Sequence, residues 1–390
     1  MPITQRSARS GQDELSAGQP RRVGDKELSW PALGSRSATA GWGMRRPCQS
    51  EMITGASAEG TVMLVIEALD GATVECAGAL VACEHAAARR VRPELPAAFD
   101  SPDVCTAALQ RLCDIGQHGL VVMGDGRAAA VMAAAARENP AVGRYALVLA
   151  EGFAVDPDLT DPTGVLAAAF ADLAAPLIAG GVRRYYLLHT ALPRLSEALS
   201  NLGFGRRSAY GIQPAAPRRG SSAVAVRIAG AGDLETIAGL ALVELQHRSA
   251  PPMFAPRQDR PLADLVAEHR ALREAGAVHL LATLEGHDAG LLTIELTSPV
   301  PRLCPDGQPY IGPTAALPGA RGKGVGHALV DTALTWAHDH GYQQVSVDFD
   351  TANPLSRPFW LHAGFRPAGY GVLRLIDGRP AGQPGSAGGH

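Results

Sequence analysis

A short segment rich in glycine and basic residues, 314–327, has the composition of an anion-binding loop. It reads Thr-Ala-Ala-Leu-Pro-Gly-Ala-Arg-Gly-Lys-Gly-Val-Gly-His and joins a predicted strand to a predicted helix. The free N–H groups of a helix's first turn, together with the helix dipole, attract negative charge. Glycines let the backbone approach a phosphate closely, because no Cβ intervenes. Since Arg321 and Lys323 add positive charge, the segment is suited to bind a pyrophosphate.

Two common nucleotide-binding patterns do not fit this loop. The P-loop pattern GxxxxGK[ST] requires Ser or Thr after the lysine, but Lys323 is followed by Gly324. The dinucleotide pattern GxGxxG would match Gly322 and Gly324, but its third position holds His327. The alternative without a ligand is a tight glycine turn whose basic side chains are only solvated.

The pattern that remains, Arg321-x-x-Gly324-x-Gly326, resembles the Q/R-x-x-G-x-G/A signature of the GNAT superfamily of N-acetyltransferases. Downstream, Asn353-Pro-Leu-Ser-Arg-Pro-Phe-Trp-Leu-His-Ala-Gly-Phe365 is similar to the family's Asn…Phe-Tyr-x-x-x-Gly-Phe block. The resemblance covers about residues 224–377 and implies that acetyl-CoA is the cosubstrate. The cofactor-binding residues that it implies are Ala315, Ala316, Leu317, Arg321, Gly322, Lys323, Gly324, Val325, Gly326, His327, Asn353 and Phe359.

The implied reaction transfers an acetyl group to an amine. It needs an N–H group that polarises the thioester carbonyl and a base that takes the proton of the amine. The strand backbone at 315–317 is the candidate for the first role. Glu295, on the preceding strand, and Asp350, on the following strand, are the candidate bases. Asp348 shares one strand face with Asp350 and is a further candidate.

The acid that protonates the leaving thiolate is a separate question. Many members of the family have tyrosine at the second aromatic position of the Phe-Tyr pair, whereas this sequence has Trp360. An indole N–H only donates hydrogen bonds and is not an acid near neutral pH. Tyr370 is the candidate substitute, and the alternative is that the thiolate leaves as the anion.

Hydrophobic periodicity predicts the elements that must position these residues. In the second half it predicts four helices and six strands in alternation. The helices are predicted at 233–247, 262–275, 325–340 and 354–362, and the strands at 223–228, 278–284, 290–297, 310–317, 344–350 and 371–376. This order predicts an α/β (α+β) fold with a mixed sheet and helices on both faces.

The first half repeats the order of these elements. It shows a strand at 146–155, a helix at 163–179, a strand at 184–190 and a short helix at 193–200. In both halves the proline that opens the short helix lies ten residues before a Gly-Phe pair. Shared order and spacing favour an internal duplication, and hence two tandem GNAT-like domains, each a mixed, mostly antiparallel sheet flanked by helices.

The first copy does not carry the anion-binding chemistry. At the place of the glycine-rich loop it has Asp156-Pro-Asp-Leu-Thr-Asp-Pro-Thr-Gly164, which contains three acids and no base. Such a loop repels a pyrophosphate. We therefore predict that the N-terminal copy binds no CoA and serves to cover and shape the cleft of the second copy.

Composition sets the domain limits. Low periodicity and many Gly, Ser, Pro and Arg residues mark two tails and a linker. The predicted division is a disordered tail at 1–59, a degenerate GNAT-like domain at 60–214, a linker at 215–223, an acetyl-CoA-binding GNAT domain at 224–378 and a flexible tail at 379–390.

Global features narrow the function classes. The net charge of −3 gives no argument for nucleic acid as a partner. We find neither a signal peptide nor an apolar run of about 18 residues, so we expect no membrane span. The six cysteines form no CxxC or zinc-type spacing, which favours reduced thiols, a cytoplasmic location and no metal site. The acceptor and the oligomeric state are not encoded in any pattern that we recognise.

Two functions from different classes fit these patterns. The first is an active N-acetyltransferase that acts on an amine of a small molecule or a protein. The second is a non-catalytic acyl-CoA-binding or regulatory module, and release of CoA in the presence of an amine distinguishes the two. The tandem layout is also similar to that of mycothiol synthases, which acetylate a cysteinyl pseudodisaccharide, although Trp360 departs from the expected pattern.

Overall fold

The computed structural model describes residues 53–57, 60–218, 224–256 and 260–377. Within these ranges the strands form one continuous sheet, and α-helices pack on it. The strands are β1 (Ile53–Ser57), β2 (Gly60–Ala68), β3 (His118–Gly124), β4 (Arg127–Asn139), β5 (Gly143–Val155), β6 (Arg184–Thr190), β7 (Gly205–Pro214), β8 (Ala225–Ile228), β9 (Val278–Leu284), β10 (His287–Glu295), β11 (Tyr310–Ala316), β12 (Gln344–Asp350) and β13 (Arg366–Leu375). The helices are α1 (Val74–Val91), α2 (Pro102–Asp114), α3 (Pro162–Ala179), α4 (Pro193–Asn201), α5 (Leu234–Ser249), α6 (Leu262–Glu274), α7 (Val325–Asp339) and α8 (Ser356–Ala363).

The two halves of the chain repeat one order of elements. The first runs β2-α1-α2-β3-β4-β5-α3-β6-α4-β7, and the second runs β8-α5-α6-β9-β10-β11-α7-β12-α8-β13. In each half the only parallel pair among the described strands is formed by its fourth and fifth strands, β5 with β6 and β11 with β12. The predicted duplication and the predicted mixed, mostly antiparallel α/β fold are therefore confirmed.

The halves exchange their last strands. The strand order is β1-β2-β3-β4-β5-β6-β13-β7-β12-β11-β10-β9-β8. β13, from the second half, lies between β6 and β7 and pairs antiparallel with both, while β7 pairs with β12. The sequence-based division into 60–214 and 224–378 did not include this shared sheet. Partners so far apart in the chain leave no local signal, because the pattern of a strand reports its faces and not its neighbours.

The predicted disordered tail requires a correction. Ile53–Ser57, inside the predicted tail 1–59, form β1 and pair antiparallel with β2, from Ile53 opposite Leu64 to Ser57 opposite Gly60. The backbone ladder to β2 accounts for this strand, and it needs no apolar alternation in the sequence. Residues 1–52 and 58–59, and the predicted tail 379–390, lie outside the described residues.

Each half has an opening where its parallel pair separates. β5 and β6 pair only from Tyr145 to Val148 of β5, and β11 and β12 pair only at Tyr310 and Ile311 of β11. Beyond these residues β5 and β11 each have a register irregularity against the neighbouring antiparallel strand. Both openings lie at the carboxyl ends of parallel strands, where α/β proteins bind their ligands.

The start of α7 lies close to the sheet at the second opening. A Cβ added at Gly290 would stand 2.5 Å from Val325 Cγ1 and 3.1 Å from the Ala315 carbonyl oxygen. Glycine at this position therefore allows the first turn of α7 to approach β10 and β11. On the other face, α5 and α6 pack against one another, and α5 contacts β11.

Helix α3 takes the place of α7 in the first half. Its length and apolar composition would suit a membrane span, which corrects our expectation that no stretch of this kind exists. Its inner side, with Leu166, Phe170 and Leu173, is buried in the core of the first half. A core helix of a globular fold passes the same test of length and composition.

Candidate functional site

The glycine-rich loop leads directly into the first turn of α7. Gly322 and Gly324 have φ values of +75° and +87°, a left-handed conformation that favours glycine. A Cβ added at either glycine would meet nothing within 4 Å, so the space in front of them is open. The first-turn N–H groups of α7 start at this open space, as the sequence predicted for an anion site.

A cavity of about 880 Å³ extends from this loop along β11 to α5 and α6. This volume is within the range of small-molecule sites in proteins. Ten of the twelve predicted cofactor-binding residues line it: Ala315, Ala316, Arg321, Gly322, Gly324, Val325, Gly326, His327, Asn353 and Phe359. Their chemical role stays a prediction, but the structure brings them to one site.

The other two predicted cofactor residues do not line the cavity. The N–H of Leu317 donates to the Ala289 carbonyl oxygen at 2.9 Å, within the sheet. The Lys323 ammonium lies 3.7 Å from a carboxylate oxygen of Glu285, and both side chains are largely exposed. The glycine-rich loop turns this lysine outward, so Arg321 is the basic side chain of the loop that lines the cavity.

The N–H groups of β11 point alternately toward β10 and toward the opening. Because successive N–H groups of a strand point in opposite directions, the bond from Leu317 to β10 places the N–H of Ala315 on the same side. The N–H groups of Thr314 and Ala316 then point away from β10, toward the opening. These two groups, and not that of Leu317, are placed to bind a ligand in the cavity.

Helix α8 closes the cavity beside the loop. A Cβ added at Gly326 would stand 3.1 Å from the Phe359 ring, so this glycine allows close packing of α7 and α8. The Asn353 side-chain oxygen accepts hydrogen bonds from the N–H groups of Leu355 and Ser356, each at 3.0 Å. Asn353 therefore holds the start of α8 as well as lining the cavity, a structural role that the family resemblance did not imply.

The end of the cavity near α5 is acidic. Arg248 Nε lies 3.1 Å from an Asp350 carboxylate oxygen and 3.6 Å from a Glu244 carboxylate oxygen. The Tyr310 hydroxyl donates to a carboxylate oxygen of Asp348. Glu244 and Asp350 therefore share one guanidinium, and Asp348 is held by Tyr310 at the same end of the site.

Burial changes the protonation of two of these carboxyl groups. It raises the pKa of Glu244 to about 7; Arg248 opposes this shift, and Asp350 and Asp348 add to it. Burial also raises the pKa of Asp348 above its usual value, against the hydrogen bond from Tyr310. A pKa near neutral is the property that a general base needs at neutral pH.

Sequence reasoning missed Glu244. It lies three residues after Ala241 and seven after Ile237, so helical spacing puts it on the apolar face of α5, and this acid on an apolar face was the signal in the sequence. Of the residues that we did predict, Asp350 lies at the site but is paired with Arg248. Glu295 also lines the cavity, and Gly312 makes room for it, because a Cβ added there would stand 2.3 Å from its carboxylate oxygen.

Tyr370 is not brought to the site. It lies on β13 between His189 of β6 and Ala209 of β7, outside the cavity lining. The Arg206 guanidinium stands 3.7 Å from the centre of its ring. The exchange of β13 into the other half moves this tyrosine away from the cavity, and its predicted role as the acid has no geometric support.

The corresponding opening of the first half is filled by the protein itself. The Arg302 side chain, from the segment between β10 and β11, enters it and is fully buried. Its Nη1 donates to the carbonyl oxygens of Ala150 (2.5 Å), within the β5 irregularity, and Phe153 (2.7 Å), where the pairing with β4 resumes. Its Nη2 forms an ion pair with the buried Glu84 carboxylate and also donates to the Val81 carbonyl oxygen at 3.2 Å.

The helix start in the first half is also occupied. The Asp161 carboxylate accepts the N–H of Gly164 at 2.9 Å, in the first turn of α3. An anion supplied by the chain thus takes the position that an external anion would need. This contact adds a physical reason to the prediction that the N-terminal copy binds no CoA.

Comparison with known proteins agrees with the class that this site suggests. Residues 241–365 match the sequence model of the acetyltransferase (GNAT) family. Residues 241–365 therefore form a GNAT-family domain, as their motifs indicated, and the N-terminal half repeats the order of its elements. No curated protein matches the chain in sequence.

One solved structure shows a similar fold over most of the chain. A GCN5-related N-acetyltransferase from Sphaerobacter thermophilus is 18% identical with a TM-score of 0.53, over 81% of this chain and 96% of that one. A tandem GNAT protein from the clavulanic acid biosynthesis pathway is 14% identical with a TM-score of 0.47, over 82% and 99%. At such low identities the similarity concerns the fold and does not indicate the substrate. Among the described residues, no group of three or more His, Cys, Asp or Glu side chains is arranged to hold a metal ion.

Proposed function

We propose that the protein is an N-acetyltransferase that moves the acetyl group of acetyl-CoA to an amine in the C-terminal cavity. The observation that carries this proposal is the continuity of the cavity. One open space connects the start of α7, suited to a pyrophosphate, with Glu244, suited to accept a proton.

The cofactor end of the site follows from the geometry of the loop. The pyrophosphate would bind at the first turn of α7, next to the Arg321 side chain. The pantetheine arm would run along β11, with the N–H groups of Thr314 and Ala316 as donors. One of these N–H groups would stabilise the negative charge that develops on the thioester oxygen.

The chemical step requires that the amine lose a proton. The amine nitrogen attacks the thioester carbon, the C–S bond breaks with its electron pair on sulfur, and the amine proton passes to Glu244. Trp360 lines the cavity at the usual tyrosine position and supplies no acid. The CoA thiolate would therefore leave as the anion and take its proton from solvent.

Acetyl-CoA binding is the first test. Calorimetry on the wild type should show tight binding, and the variant Arg321→Ala with Gly324→Asp should weaken it by at least about a hundredfold. The aspartate puts negative charge at the pyrophosphate position, and the alanine removes a charge-assisted hydrogen bond. A matched control, Arg111→Ala with Gly126→Asp, changes an exposed arginine and a positive-φ glycine of the first half and should bind normally.

Turnover is the second test. The wild type with acetyl-CoA and a panel of primary amines should release CoA thiol above the rate without amine. Binding of acetyl-CoA without thiol release from any amine would favour a binding or regulatory module. Failure of the wild type to bind acetyl-CoA would refute the proposed function altogether.

A further inference from the structure

The two openings correspond residue by residue at their acidic ends. Helix α5 begins 160 residues after α1, and β12 begins 160 residues after β6. Glu84 therefore corresponds to Glu244, and Thr190 corresponds to Asp350. In both halves the glutamate lies next to the end of the fifth strand, since Glu84 accepts the Thr190 hydroxyl and Glu244 shares Arg248 with Asp350.

In the first half this glutamate already binds a cation. The guanidinium of Arg302 touches the Glu84 carboxylate on one side and the carbonyl oxygens of the β5 irregularity on the other. It therefore occupies the place between the glutamate and the fourth strand. In a cleft that holds acetyl-CoA, the attacking amine must stand at that place, next to both the base and the thioester carbon.

The second half carries more carboxyl groups than guanidinium groups at the same place. In the first half the Arg302 guanidinium pairs with Glu84, the Arg302 backbone N–H donates to a carboxylate oxygen of Glu151 at 3.2 Å, and the β6 position equivalent to Asp348 is Leu188. The second half sets Glu244, Asp348 and Asp350 against Arg248. Glu295, Glu268 and His247 line the same cavity, and Arg321 lies at its pyrophosphate end.

The part of the cavity wall that leads to these carboxyl groups is apolar. The cavity wall formed by α5, by the end of α6 and by the segment after β10 consists largely of aliphatic side chains. They are Val243, Ala271, Leu272, Ala275, Leu296 and Pro299. A ligand with an aliphatic arm that ends in a cation would fit this combination of an apolar wall and an acidic end. The Arg302 side chain, which has the same make-up, fills the opening of the first half.

We propose that the acceptor is a cation at the end of an aliphatic arm, and that it binds against Glu244 as Arg302 binds against Glu84. This inference rests on the proposed function, because it names the acceptor class of that site. The side chain of Arg302 is n-propylguanidinium in chemical terms. That compound is therefore a ready-made probe, and n-propylurea is its uncharged analogue.

The test is calorimetry on the full chain loaded with CoA. We expect n-propylguanidinium to bind at least about tenfold more tightly than n-propylurea, since charge-assisted hydrogen bonds are the stronger ones. It should also bind roughly tenfold more tightly than methylguanidinium, because two more methylene groups are buried. The variant Glu244→Gln should remove the preference for charge, and Glu235→Gln, an exposed site on the same helix, should keep it.

The outcomes separate this inference from the proposed function. Equal binding of n-propylguanidinium and n-propylurea, or a preference that survives Glu244→Gln, overturns the cation site. Equal binding of methylguanidinium and n-propylguanidinium overturns the aliphatic arm. Loss of acetyl-CoA binding is measured separately and concerns only the proposed function, because the same probes can be titrated into the unloaded chain.

Discussion

The two openings differ in what fills them, although the same elements build both. In the first half, the carboxylate of Asp161 sits on the first turn of α3, and the guanidinium of Arg302 sits on Glu84. In the second half, Gly324 precedes α7, and Glu244 faces an open cavity. The difference teaches that the chain can fill such an opening with its own side chains without a change of fold.

The largest expected effect tests whether the two halves depend on one another through β13. A chain that ends after Gly364 lacks β13, so β6 and β7 lose the strand between them. We expect the loss of cooperative unfolding in both halves, measured by circular dichroism during denaturant titration. The control chain ends after Asp377 and retains β13. A shortened chain in which the first half still unfolds cooperatively would contradict the prediction.

The next prediction removes the internal cation of the first half. Arg302→Met leaves the Glu84 carboxylate buried beside no guanidinium, which should cost about 3–5 kcal/mol of the free energy of unfolding. The double variant Arg302→Met with Glu84→Leu should recover most of this loss, because an apolar pair often replaces a buried ion pair without cost. Urea unfolding measures both variants. A double variant no more stable than the single one would show that the pair is not the cause.

The third prediction concerns the glutamate of the second half and its dependence on pH. Because the folded state raises the pKa of Glu244 from 4.5 to about 7, folding favours its protonated form. The contribution of this group to stability is therefore present below pH 4.5 and is lost as the pH rises to about 7, by up to about 3 kcal/mol. Glu244→Gln should reduce this decrease to the part that Asp348 contributes, and Glu235→Gln should show it in full, when urea unfolding is repeated across pH.

Deprotonation of Glu244, which lowers stability as the pH rises, should raise activity. A base must be deprotonated, so kcat/KM should rise with pH through about 7 and then level off. Glu244→Gln should lower kcat/KM and lose this limb of the profile. A Glu244→Gln profile that keeps the wild-type limb would assign the base to another group, with Glu295 the first alternative.

The smallest expected effect tests the packing beside the loop. Gly326→Ala places a methyl group 3.1 Å from the Phe359 ring, which must move by a few tenths of an ångström. We expect acetyl-CoA binding to weaken several-fold, about 1 kcal/mol, because α8 shifts at the cavity wall. Gly239→Ala, in α5 with nothing within 4 Å of the added Cβ, is the control and should bind normally. Equal affinities in both variants would show that this contact does not shape the site.

Local features of the site were predictable from the sequence. The glycine-rich loop is contiguous, and its chemistry depends on a strand, a turn and a helix that adjoin one another. The bounds predicted for Arg184–Thr190, Val278–Leu284 and Gln344–Asp350 agree with the strands observed. The first two are short, largely apolar runs, and the third alternates apolar and polar residues, as a strand with one buried face does. The family match over 241–365 confirms the class that these patterns suggested.

The features that the sequence did not reveal depend on distant partners. Arg302 lies in a segment without periodicity, and only the fold shows that it reaches Glu84, 218 residues away. Glu244 is an acidic residue on a helix that is recognised by its apolar residues. Its place at the cavity depends on the packing of that helix near β12, which carries Asp348 and Asp350. Tyr370 was named only as a substitute for the tyrosine that Trp360 replaces, and the strand exchange that places it beside β6 leaves no local signal.

The exchanged strand also delays completion of the first half during synthesis on the ribosome. Residues up to Pro214, the end of β7, are made well before Arg366–Leu375 supply the strand that belongs between β6 and β7. At about 5–20 residues per second, the interval is roughly ten to thirty seconds. During that time the nascent first half carries unpaired backbone edges at β6 and β7. A chaperone that shields strand edges should therefore raise the yield of the native protein during translation more than it does after release.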